Sequence, residues 1–376
     1  MCSAAEMGAY FQDELPLIPE HPPDFEEKIP TPYGNIKVTI YGNRQSNPIV
    51  TFHDMALDSE TNFQNFFQYA TAGEFLSNFC IYNINAPGQE IDAAPLPDNY
   101  IYPTMDGLVQ IVDNCVEHFK IREFIGLGVG VGANIMLRYA LQNQSKMDAL
   151  ILVNCVATSA GWIEWFYQQI NMRSLRTRGM TNFSVDYLLW HHFGNHVTLN
   201  PPDTVRRYRA YLQHLPNPKN LAAFIEAYLN RTTIAISRDG TAGPKLNVPV
   251  LQIVGADSAF VPDSVELNAR LNPANSEWLK RMTLESRKKK MGSIVKHWDD
   301  KRLFKRLDNH RRLSGSGGLV LDDKPEGVAQ AIILFLQGRG FVPTTNVRDM
   351  VRRISVQACD AGDEAVTILQ NVSETN

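Results

Sequence analysis

Three glycines at alternate positions, Gly128-Val129-Gly130-Val131-Gly132, follow the apolar run Glu123 to Leu127 and precede a helical pattern from Ala133 to Leu141. A strand that turns sharply into a helix through G-x-S-x-G exposes a serine nucleophile for acyl transfer. Here the central position holds Gly130, which has no side chain to attack a carbonyl. The same chemistry needs donors for an oxyanion and a base within reach of the nucleophile. An oxyanion loop of the H-G type belongs after the strand Pro48-Ile49-Val50-Thr51-Phe52, and the sequence there reads His53-Asp54. A carboxylate beside a developing oxyanion raises the barrier, and His53 reads as a strand-end histidine bonded to a neighbouring loop. The base is expected as G-H after the last strand, where the chain has Gly317-Gly318, and His297 and His310 lie before those glycines. Asp257 follows the run Val248 to Gly255, one residue early for a triad acid, with Asp263 beyond it, and it reads as a loop or cap residue. With the nucleophile and histidine vacant, Gly130→Ser alone is expected to restore no hydrolysis, because no histidine is placed to take its proton.

The elements that would carry these positions alternate. A strand pair, Phe25 to Ile29 and Ile36 to Tyr41, turns through Gly34-Asn35. Continuous apolar strands follow at Pro48–Phe52, Phe79–Ile84, the elbow strand, Ala149–Val153 and Val248–Val254. Such runs suit a sheet covered on both faces. Thr104 is placed to cap a helix whose apolar positions Leu108, Ile111, Val112, Cys115, Val116 and Phe119 keep the helical period. Strands alternating with helices after a hairpin predict an α/β sheet, parallel after its first strands. From Ser159 to about Asp239 the strand signal gives way to aromatic residues at helical spacings, which predicts an all-helical cap.

The chain has 376 residues, 44% hydrophobic and 20% charged, as for a globular protein. No run approaches the roughly 18 apolar residues of a membrane span, and no secretion signal or myristoylation glycine is read at Met1-Cys2. The five cysteines are scattered without C-x-x-C spacing, and Cys80, Cys115 and Cys155 read as core thiols in a cytoplasmic chain. His191, His192 and His196 suggest a metal, since His192 and His196 are four apart, but Gly194-Asn195 weakens the turn that would aim both at one ion. Packing is the preferred reading, and no metal or cofactor is assigned. Residues 280–312 carry a net charge of about +9, against −4 for the whole chain, and read as a solvated insertion. Nothing interleaves aromatics there as in a nucleic-acid module, so nucleic acid is not an expected partner. Arg352-Arg353-Ile354-Ser355 in the polar tail makes Ser355 a candidate phosphosite.

In combination and in order, several segments carry a resemblance. They are Thr51-Phe52-His53-Asp54, Asn85-Ala86-Pro87-Gly88-Gln89, Tyr102-Pro103-Thr104-Met105-Asp106, Gly126 to Ala133, Gly161-Trp162-Ile163-Glu164-Trp165, Asn217-Pro218-Lys219-Asn220-Leu221, and Leu336 to Phe341. Together they resemble the NDRG (N-myc downstream-regulated gene) family. The resemblance implies an α/β-hydrolase-like fold without hydrolase activity, in a cytoplasmic protein of signalling, stress response, growth and differentiation with a phosphorylated tail. The chain departs from it by the basic insertion after Trp278 and by lacking tandem tail repeats.

The expected organisation is an extended arm 1–24, a first core segment 25–158, a helical cap 159–239, a second core segment 240–340 interrupted at 280–313, and a polar tail 341–376. The expected vestigial pocket comprises His53, Asp54, Gly128, Gly130, Gly132, Asp257 and Gly318, reused to bind a protein, lipid or small molecule. The competing expectation is an active hydrolase with a displaced constellation built on Ser258, Ser316 or a cysteine, with His53 as base.

Overall fold

A computed structural model describes residues 22–71, 78–91, 93–194, 202–255, 258–280 and 318–342. The chain enters as a hairpin of β1 (Phe25–Thr31) and β2 (Gly34–Tyr41), paired from Phe25 with Ile40 to Thr31 with Gly34. Gly34 makes the turn at φ +96°, a conformation in which its missing Cβ removes the steric penalty. The strands that follow are β3 (Asn47–Phe52), β4 (Phe79–Ile84), β5 (Phe124–Val129), β6 (Met147–Val153), β7 (Val250–Val254) and β8 (Ser276–Lys280). They form one eight-stranded sheet in the order β1-β2-β4-β3-β5-β6-β7-β8. Only the β1–β2 and β2–β4 pairs are antiparallel.

Helices α1 (Ser59–Thr71), α2 (Met105–His118) and α3 (Val131–Gln142) link the early strands. Between β6 and β7 lie α4 (Trp162–Thr177), α5 (Asn182–Phe193), α6 (Pro202–Gln213) and α7 (Pro218–Leu229), so the insertion is helical as its composition suggested. Helices α8 (Val261–Arg270), α9 (Val320–Asp323) and α10 (Pro325–Gln337) complete the described elements.

The two faces of the sheet feed separate cores, because side chains alternate along a strand. Ile49, Ile81, Ile125, Leu127 and Ile151 pack with Phe63 and Phe66 of α1 and Ile332 and Phe335 of α10. Val50, Phe52, Ile84, Leu150 and Leu152 pack with Leu108 and Ile111 of α2 and Ile135 and Tyr139 of α3. Covering both faces demands apolar residues at consecutive strand positions, which is why β3 to β6 read as unbroken apolar runs. The parallel register sets Phe52 beside Gly128 and Val129 beside Val153. The carboxyl ends of β3, β5 and β6 therefore meet at one edge of the sheet, where open α/β sheets bind ligands. His53-Asp54, Gly130 and Asn154 all emerge there.

Candidate functional site: an elbow filled by a carboxylate

The elbow is tighter than its sequence suggested. Strand β5 runs on to Val129 and α3 begins at Val131, so Gly130 alone makes the turn, at φ +52° and ψ −110°. That conformation is strained for any residue with a Cβ. Gly130 N–H donates to the Val153 carbonyl at 2.9 Å, which fixes the turn over the end of β6. Gly128 and Gly132 serve close approach. A Cβ on Gly128 would lie 2.5 Å from the Gly132 carbonyl oxygen, and one on Gly132 would lie 2.5 Å from the Phe52 carbonyl carbon.

The volume that a nucleophilic side chain would occupy is taken. A Cβ built on Gly130 overlaps the Asp54 carboxylate, with Oδ1, Cγ and Oδ2 its three nearest atoms. Asp54 Oδ1 accepts from Met55 N–H at 2.8 Å and from Val131 N–H at 3.0 Å. The amide following the nucleophile position is an oxyanion donor in enzymes with this elbow. Here its proton is committed to a carboxylate that the chain itself supplies. Asp54 Oδ2 lies 2.9 Å from His191 Nε2 and 3.9 Å from His192 Nδ1, and all three residues are buried. Burial would raise the Asp54 carboxyl, but His191, His192 and the Val131 amide outweigh it and hold it at about 2.

Two sequence expectations are corrected here. Asp54 was read as a charge beside an oxyanion, whereas it fills the nucleophile's own place. The expectation that no histidine is placed to take a proton there is revised by His191, delivered from the last turn of α5, whose Nε2 lies 2.9 Å from the carboxylate in that place. Pairing His192 with His196 by helical spacing pointed away from the true partner, which lies 137 residues earlier in the chain than His191. His196 lies outside the described residues. The available signal was the adjacent His191-His192 pair closing an otherwise apolar helix end.

His53 does what its strand-end position suggested. Its Nε2 accepts from Ala86 N–H at 2.9 Å, which places the proton on Nδ1, and Nδ1 donates to the Asp54 carbonyl at 2.7 Å. Its ring stacks on Phe52 and meets Phe224 of the cap edge-on. Burial lowers its pKa to about 4, so it is neutral near pH 7 with both ring nitrogens occupied.

Gly318, where a triad histidine was expected by pattern, is also tightly packed. A Cβ on Gly318 would overlap the His192 carbonyl oxygen. Asn154, at φ +52° past the end of β6, donates from Nδ2 to the Gly318 carbonyl at 2.5 Å. Its Oδ1 accepts from Ser258 Oγ at 3.2 Å, and that oxygen accepts in turn from Phe260 N–H. Ser258 therefore braces the loop after β7. Burial raises the Cys115 and Cys155 thiols to about 12, which keeps them protonated near neutrality. Asp257, Ser316, Ser355, His297, His310 and the basic insertion from 281 onward lie outside the described residues, while Lys280 ends β8.

The Ndr family profile matches residues 26–291. The chain belongs to the Ndr family. This Ndr-family chain is 30% identical over 332 residues to protein NDRG4-B of Xenopus laevis, covering 87% of itself and 80% of that protein. It is 30% identical over 353 residues to protein NDRG3 of Xenopus laevis, covering 91% and 84%. Among solved structures it is similar to a thermophilic esterase from Thermogutta terrifontis, with a TM-score of 0.62 at 18% identity over 84% of this chain and 99% of the esterase. A hydrolase from Pseudomonas aeruginosa PA01 gives a TM-score of 0.61 at 15% identity, covering 83% and 98%. The fold is that of the α/β-hydrolases, and the relatives NDRG4-B and NDRG3 bear names that denote no reaction.

Proposed function

We propose that this Ndr-family chain is a non-catalytic signalling or adaptor protein on a hydrolase scaffold, acting in the cytoplasm through protein partners. The observation that carries this reading is the Asp54 carboxylate in the nucleophile's place, holding the Val131 amide at the same time. A hydrolase needs a nucleophile there and a free amide for the oxyanion. The rival constellation finds little support, since His53 has both nitrogens engaged and Ser258 bonds Asn154 and Phe260 rather than a histidine. No described helix is long and apolar enough to cross a membrane.

The partner-binding half of the reading draws on α4. Trp162 and Ile163 are 88% and 77% exposed, and Trp165, Phe166, Tyr167 and Ile170 are exposed beside them. Meanwhile Gln168 and Asn171 are buried, with Gln168 Nε2 donating to Tyr187 Oη. A helix that anchors through Met172 and Leu175 yet turns a run of aromatic and aliphatic residues in its first half to solvent suits a surface used for association. Organisation into core, cap and tail, and regulation through Ser355, belong to the same proposal.

The test is hydrolysis of short-chain p-nitrophenyl esters by purified full-length protein against a heat-denatured control. The expected rate equals the control. Saturable turnover that survives repurification would sink the non-catalytic reading.

A further inference from the structure

The buried trio Asp54, His191 and His192 remains unexplained by a packing role alone. Each offers one ligand atom, and these atoms all lie within 4.8 Å of one another. Asp54 Oδ1 is held by two backbone amides, which orients the carboxylate and leaves Oδ2 toward the histidines. That is the arrangement in which outer hydrogen bonds aim a metal ligand. His192 is 2% exposed, yet its Nε2 makes no hydrogen bond. It is the other ring nitrogen, Nδ1, that faces the carboxylate, 3.9 Å from Asp54 Oδ2 and beyond hydrogen-bond reach.

The distances discriminate among partners. Zinc binds imidazole nitrogen and carboxylate oxygen at about 2.0–2.2 Å, which sets two ligands of a tetrahedral ion about 3.3 Å apart. The two separations from Asp54 Oδ2, 2.9 Å to His191 Nε2 and 3.9 Å to His192 Nδ1, bracket that value. With all three ligand atoms within 4.8 Å of one another, side-chain shifts of about an ångström would bring them to coordination distance. Two imidazoles and one carboxylate select a first-row transition ion over magnesium or calcium, which want oxygen ligands.

We propose that Asp54, His191 and His192 form a binding site for one divalent first-row transition metal ion, with zinc the best fit. The ion would tie the last turn of α5, in the cap, to the end of β3, in the sheet. This does not depend on the non-catalytic reading, because metal content and ester turnover are measured separately.

The experiment uses the full chain, stripped with a chelator, desalted and titrated with Zn²⁺ and, separately, Co²⁺. One ion per chain is expected, with the intense visible d–d band of tetrahedral Co²⁺. Asp54→Asn, His191→Gln and His192→Gln should each weaken binding at least tenfold, while His214→Gln, an exposed histidine bonded to the Ala210 carbonyl, should not. Circular dichroism checks that each variant folds. Equal metal content in wild type and the three variants would place the ion elsewhere and overturn the proposal. Should the variants fail to fold, the wild-type Co²⁺ spectrum decides. A weak octahedral band, or no uptake after refolding with metal, refutes the site.

Discussion

If the Asp54 carboxylate stands where a side chain on Gly130 would stand, then Gly130→Ala and Asp54→Ala cannot be independent. Gly130→Ala carries a backbone cost of about 2 kcal/mol for a Cβ at φ +52°. It also expels the carboxylate, which loses its bonds to Met55 N–H, Val131 N–H and His191 Nε2. At least one charge-assisted bond's worth goes unreplaced, about 3 kcal/mol. The single variant should therefore lose about 5 kcal/mol. Asp54→Ala removes the same contacts and should lose about 3 kcal/mol. In the double variant the contacts are lost once, so about 5 kcal/mol is expected rather than the additive value of about 8. The coupling of about 3 kcal/mol is read from urea midpoints with unchanged slopes, in chelator-containing buffer. Gly34→Ala serves as control. Gly34 is also at positive φ, but its Cβ would meet nothing, and combining it with Asp54→Ala should be additive. Additivity of Gly130→Ala with Asp54→Ala, within about 0.5 kcal/mol, would refute the shared volume.

Asp58 opens α1, where its Oδ1 accepts from Glu60 and Thr61 N–H, and burial raises its carboxyl to about 6. A raised folded pKa means its contribution is fully present below the unfolded value of about 4 and is lost as pH rises through about 6. Asp58→Asn keeps the acceptor and removes the charge, so its stability relative to wild type should improve by up to about 3 kcal/mol between about pH 4 and pH 7. A pH-independent difference in unfolding midpoints would count against a buried charge there. Arg231 joins the loop after α7 to the cap by a two-pronged pair with Glu164, both contacts at 2.9 Å, and a bond to the Thr158 carbonyl. Arg231→Met should cost about 2–3 kcal/mol, at the lower end for a broken ion pair because water reaches Glu164, and Arg231→Lys should recover little of it. Equal midpoints for Lys and Arg would show that the fork geometry is unimportant. Gly130→Ser should give no ester turnover, now because the serine collides with Asp54 rather than for want of a histidine. Turnover in that single variant would mean the carboxylate moves aside freely.

The sheet, the elbow and the cap were legible because each rests on local sequence. Ile49-Val50 and Ile151-Leu152 could be read as strands covered on both sides, and Gly130 as a nucleophile position left empty, from neighbouring residues alone. The site's actual content was not legible, because it is made by tertiary contact. Nothing near Asp54 in sequence says that its carboxylate turns into the space above Gly130. Helical spacing, the one tool available for the histidines, favours pairs three or four apart on a single helix. His191 and His192 are adjacent, and they converge only because their target lies off the helix, on the end of β3. A glycine's vacancy, likewise, carries no record of which side chain fills it.

The two departures from the H-G and G-x-S-x-G patterns at this edge are one structural change. Asp54 in place of the oxyanion-loop glycine can bury its carboxylate only because Gly130 leaves the volume open. Gly130 in turn holds the elbow without the strain a serine would bring there. Gly130→Ser alone drives the new side chain into the carboxylate. Asp54→Gly alone frees the Val131 amide but supplies no nucleophile and strands His191. The pairing of Asp54 with Gly130 is thus held from both sides, by buried hydrogen bonds that also fasten α5 to the end of β3. In this arrangement the strained turn positions the Val131 amide and the open volume that Asp54 occupies. On the proposed non-catalytic reading, the fold keeps its elbow because Asp54 and Gly130 are part of its packing.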